Sequence, residues 1–149
     1  MTTTSERTPP AADTPPAALP APATIRLPYA PQSARDARRL VSAKLTEWGL
    51  PNLADDAELI ISELVGNAVR TGCQTHMVVA VLRPTAGTVR LLVSDGSASP
   101  PVQIDAGPTA ESGRGLTLVH HLTNGKWGVQ LWPRGKVVHA DLAVPDDRA

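Results

Sequence analysis

Two hydrophobic periods alternate along this chain. In "PQSARDARRLVSAKLTEWGL" (31–50), Ala34, Ala37, Val41, Leu45 and Trp48 recur at helical spacing, and Leu40 widens the stripe. Ser33 suits the N-cap of this helix, and Gly49 with Pro51 ends it. A second helix is predicted over "LADDAELIISELVGNAVRTG" (53–72), with Ala57, Ile60, Ile61, Leu64, Val65 and Ala68 on its buried stripe. Asp55 and Asp56 suit its first turn and Gly72 its end. "GLTLVHHLTN" (115–124) reads as a third, short helix.

The remaining apolar segments alternate with period two or run as short apolar blocks. "ATIRLPYA" (23–30) is a short strand, with Pro28 favouring a sheet edge. "THMVVAVLR" (75–83) and "TVRLLVSD" (88–95) form a hairpin through "PTAG". "WGVQLWP" (127–133) and "KVVHADLAV" (136–144) form another through Arg134-Gly135. Between them, residues 96–112 are rich in Gly, Pro, Ser and Ala and are expected as a long loop. Loops of that length inside a domain are functional or disordered. The order is strand, helix, helix, two strands, loop, helix, two strands. It predicts an α+β fold, a two-layer sandwich with a mostly antiparallel mixed sheet and helices on one face.

Composition adjusts this picture at its ends. Of 149 residues, 42% are hydrophobic, which suits one domain with its own core. Residues 1–23 hold six prolines among Ala and Thr and are expected as a disordered tail. The domain is placed at 24–144, with a short C-terminal tail at 145–149. There are 14 Lys+Arg against 14 Asp+Glu, and this balance argues against nucleic acid as a partner. With one cysteine, Cys73, no internal disulfide or cysteine metal cluster can form. Apolar runs such as "MVVAVL" (77–82) are strand-sized, and "MTTTSERTPP" lacks the apolar stretch of a signal peptide. No membrane partner and a cytoplasmic location are therefore expected.

Three places carry candidate chemistry. Glu63 and Asn67, in "SELVGNAV" (62–69), sit four apart and so share a face of the second helix. An Asn carbonyl can ligate a hard cation such as Mg²⁺, and a Glu one turn earlier can polarise a hydroxyl or water. In "VSDGS" (93–97) a strand ends in Asp95, which can accept a hydrogen bond from a base amino group. "ESGRGLTLV" (111–119) sets two glycines before a helix, where backbone N–H groups bind anions. Each also has an ordinary reading: a solvent-facing pair, a turn former, and a plain helix start.

In that succession, "ELVGNAV" on a helix, "VSDGS" at a strand end and "SGRGL" opening a helix resemble the nucleotide site of the GHKL superfamily. Histidine kinases and DNA gyrase share that ATP-binding fold. The resemblance covers residues 24–144 and points to the small anti-sigma-factor serine/threonine kinases, particularly short actinobacterial ATP-binding regulators. It implies a Bergerat-type α/β sandwich binding ATP with Mg²⁺. By position, Glu63 would be the general base and Asn67 the Mg²⁺ ligand. Asp95 would contact the adenine amino group, and the backbone of Gly113 and Gly115 would face the phosphates, with Arg114 in reach of one. Leu116 would begin the next helix, and residues 97–112 would form a lid. The implied partners are an anti-anti-sigma-like protein, phosphorylated on serine, and a sigma factor; a homodimer is implied as well. The chain departs from the family pattern at Ser97 and Ser99, where glycines are usual, and at Thr71, often His. It departs again at Val137, where a Thr commonly lies beside the adenine. The expected consequence is lower nucleotide affinity, and a partner-switching module without catalysis is the alternative.

Overall fold

A computed structural model describes residues 18–71, 76–96, 111–133 and 135–145, with Thr71 and residues 111–115 described by their backbone alone. The N-terminal residues 1–17, Cys73, Ser97, Ser99 and the rest of the expected lid up to residue 110 lie outside the described residues. The elements in chain order are β1 (Ala23–Pro28), α1 (Ser33–Glu47), a 3-10 turn (Pro51–Leu53), α2 (Ala54–Thr71), β2 (His76–Thr85), β3 (Thr88–Asp95), α3 (Glu111–Leu122), β4 (Trp127–Trp132) and β5 (Gly135–Ala143). The sequence pattern anticipates this order.

The five strands form one sheet in the order β1-β2-β3-β5-β4. Every neighbouring pair is antiparallel, so the parallel component of the expected mixed sheet is not found among the described residues. Topology explains why. The chain leaves β3, passes through α3 and returns at the sheet edge as β4, and β5 then folds back between the two. Pro28 lies on edge strand β1, where a missing N–H costs no ladder bond.

Alternation fixes which side chains meet the helices. Met77, Val79 and Val81 of β2, Val89, Leu91 and Val93 of β3, and Val138, Ala140 and Leu142 of β5 form one buried cluster with the helix stripes. From α1 come Ala37, Val41 and Leu45; from α2, Ala57, Ile60, Ile61, Leu64, Val65 and Ala68. This core is made without phenylalanine, which the chain lacks.

Local chemistry departs from expectation at two helix starts. Gln32, not Ser33, occupies the N-cap of α1, and its side chain makes no capping bond. Ser33 Oγ instead donates to the Pro28 carbonyl at 2.7 Å, tying the helix to the end of β1. Helix α3 begins at Glu111, four residues before the expected Gly115, so both glycines lie within its first turns. At the other end of α1, Gly49 has φ +76° and stops the helix as its position suggests.

Candidate functional site

The site residues sit on α2, the end of β3, the start of β5 and the start of α3. Helix α2 packs against β3, β5 and α3, so the element carrying Glu63 and Asn67 touches each of the others. On α2, Asn67 follows Ile60 and Leu64 along the edge of the buried stripe and is 3% exposed. Glu63, one turn earlier, is half-buried. The face carrying the pair therefore runs from the rim into the interior, and a shared solvent-facing position is excluded for Asn67. A buried amide is costly unless its polar atoms are partnered.

At the end of β3, period two sets Val89, Leu91, Val93 and then Asp95 on the side facing the helices. A turn former would stand in solvent, but Asp95 is 6% exposed. Its cross-strand partner is Lys136, which lies on the same face as Val138, Ala140 and Leu142. Lys136 Nζ reaches both carboxylate oxygens of Asp95, at 3.0 Å to Oδ2 and 3.2 Å to Oδ1, and both side chains are 1% exposed. An ion pair so far from water rests on mutual attraction in a weakly screening medium, and losing one partner costs about 3–5 kcal/mol.

This pair corrects the reading of the last strand. Val137 faces away from the helices, opposite Ser94, so it cannot stand beside a base held by Asp95. Lys136 is the residue that faces Asp95, and the sequence reading missed it. Strand parity carried the signal, since Leu142, Ala140 and Val138 lead back by twos to Lys136. Two neighbours hold the geometry in place. Gly135, which precedes Lys136, has no room for a Cβ, because one would collide with the Asp95 carbonyl oxygen. The Gly96 N–H donates to Tyr29 Oη at 2.9 Å, anchoring the chain where it leaves β3.

The start of α3 offers N–H groups. The first four N–H groups of an α-helix, counted from its N-cap, lack an intrahelical acceptor, and those of Glu111, Ser112 and Gly113 are among them here. Gly115 is the fifth residue, so its N–H falls beyond that set. Leu116 does not begin the helix but sits inside it, 1% exposed.

The donors fit a Mg²⁺–phosphate group better than a metal alone. Among the described residues no group of three or more His, Cys, Asp or Glu could hold a metal. Mg²⁺ is bound through one or two protein oxygens plus substrate phosphates, and the Asn67 amide oxygen is a donor of that kind. Outside this group, His120 Nδ1 accepts from Trp127 Nε1–H at 3.1 Å. Among the described residues no helix is long and apolar enough to cross a membrane.

Solved structures align with this chain. The RsbU and RsbW domains of Rv1364c from Mycobacterium tuberculosis align at 24% identity and a TM-score of 0.59, covering 85% of this chain and 33% of that one. A histidine kinase domain from the blue-light activated kinase of Erythrobacter litoralis aligns at 20% identity and a TM-score of 0.49, covering 79% and 62%. This chain thus spans a third of the first structure's length. No protein of curated function matches it. The sequence matches the histidine kinase-like ATPase domain over residues 27–139, most of its length, and the chain belongs to that family.

Proposed function

We propose that this chain binds ATP with Mg²⁺ and acts as a regulatory serine/threonine kinase of the anti-sigma type, working in the cytoplasm. The observation that carries the reading is the inward-facing Asp95, a carboxylate at a position where the rest of β3 places Val or Leu. Such a group, under a helix layer whose α2 also packs on α3, suits a ligand that presents an amino group at one end and phosphates at the other. Family membership supports the same ligand.

In this scheme Asp95 accepts from the 6-amino group of adenine, and Asn67 holds Mg²⁺. The N–H groups that open α3, ending at Gly113, take phosphate charge, and Leu116 fixes their helix against the core. Bound Mg²⁺ supplies charge neutralisation and orientation of the phosphate oxygens. Glu63 accepts the proton of a partner's serine as its Oγ bonds to the γ-phosphorus, while the bond to the β-phosphate oxygen breaks and ADP leaves. The serine belongs to an anti-anti-sigma-like protein, and a sigma factor is the second partner. A homodimer is the assembly proposed.

One observation favours a second reading, a partner-switching module without transfer. Lys136 already holds the carboxylate that the base requires. Incubation with labelled ATP, Mg²⁺ and a serine-bearing partner separates the two. Label transfer that disappears in Glu63→Ala supports the kinase. Nucleotide binding without transfer supports the switch, and absence of any binding removes the kinase and leaves a fold without its ancestral ligand.

A further inference from the structure

The nucleotide reading leaves one buried group without a task. Lys136 lies directly opposite Asp95 on the helix-facing side of the sheet, and its ammonium straddles both carboxylate oxygens. We propose that Lys136 sets the base selectivity of the site: its ammonium occupies Asp95, so a 6-amino purine must displace it, whereas a 6-oxo purine can accept from it. This rests on the reading of Asp95 as the base contact.

The chemistry is that of donors and acceptors. A carboxylate is acceptor-only, and an ammonium is donor-only. Adenine brings a neutral N–H donor to Asp95, where it competes with a charged donor already in place. Both contacts use the ionised carboxylate, but only Lys136 brings a full charge of its own, and displacing it breaks a buried ion pair, so the exchange is unfavourable for the base. Hypoxanthine and guanine bring a carbonyl at the same ring position. That oxygen meets the Lys136 ammonium as an acceptor meets a donor, and the ion pair need not break. Displacement has no easy route outward either. Both side chains are 1% exposed, and Gly135 is pressed against the Asp95 carbonyl, which fixes the register that sets the two opposite each other.

The test compares Mg²⁺–ATP with Mg²⁺–inosine triphosphate, which has a 6-oxo group in place of the 6-amino, by calorimetry on the full chain. The wild-type protein is expected to bind the inosine nucleotide at least as tightly as ATP. In Lys136→Met, which keeps the bulk and loses the charge, ATP should bind at least tenfold tighter while the inosine nucleotide gains less than threefold. Lys136→Thr serves where the methionine variant loses its cooperative melt, and Lys136→Arg should retain the wild-type preference. A wild-type preference for ATP above tenfold overturns the proposal, as do equal gains for both nucleotides in a folded variant; either result leaves nucleotide binding intact. If neither nucleotide binds any form, the reading of the site itself fails and the proposal goes with it.

Discussion

Single atoms decide the geometry at the end of β3. Gly135 is needed for space, since any Cβ there meets backbone that cannot swing aside as a side chain would. Gly135→Ala is therefore expected to destabilise the fold by ~1–3 kcal/mol. The measurement is the denaturant midpoint, and an unchanged midpoint would mean that the β3–β5 pairing is looser than the structure has it. Lys136 was hidden in the sequence for a related reason. "KVVHADLAV" places two valines side by side, and either parity gives a respectable strand. Only the burial of Val138, Ala140 and Leu142 selects the one in which Lys136 turns inward. On the opposite sheet face, Arg90 and Asp141 pair through two bonds of 2.7 and 2.9 Å. That hydrogen bond, more than the opposing desolvation, raises the Arg90 pKa above its ordinary value.

Among the elements, α1 and α2 were legible because a 3.6-residue stripe of aliphatic residues has one interpretation, and the structure buries the residues it names. Helix α3 was legible in kind but not in extent. Gly113 and Gly115 are poor helix formers, and each costs up to about 1 kcal/mol relative to Ala, so local preference places the start after them. Packing overrides that preference. Leu116 and Val119 are buried on consecutive turns, and α3 lies against α2. Leu116→Ala should cost ~2–5 kcal/mol, as for other large-to-small core changes, and should weaken nucleotide binding in the variant that remains folded. A thermal melt with and without nucleotide reads both effects. Arg35, Arg38 and Arg39 of α1 line an open groove with Ser42 and Glu58, and Arg38 Nη1 donates to Ser62 Oγ at 3.0 Å.

For the whole molecule, the two-layer architecture followed from element order alone, because helices with one apolar stripe must cover one face of a sheet. Strand order did not, since nothing local says that β5 inserts between β3 and β4. The site was half legible. Glu63, Asn67 and Asp95 announce themselves as polar groups at core spacing, but the occupant of Asp95 comes from a strand forty-one residues on. Ligand binding should be visible as global stabilisation: ATP at a hundred times its dissociation constant adds about 2.7 kcal/mol to the unfolding free energy. Glu63→Ala should keep that gain and Asn67→Ala should lose most of it, as a shift in melting temperature with Mg²⁺–ATP. Equal shifts in both would contradict the division of roles between them.

The Tyr29 hydroxyl makes this checkable without a label. It is the chain's sole tyrosine, and it holds the amide one step beyond the Asp95 carboxylate. Phenol vibrations and near-ultraviolet absorbance respond to hydrogen-bond partners. The protein thus carries an intrinsic spectroscopic probe one residue from the Asp95–Lys136 pair, with no second tyrosine to blur it.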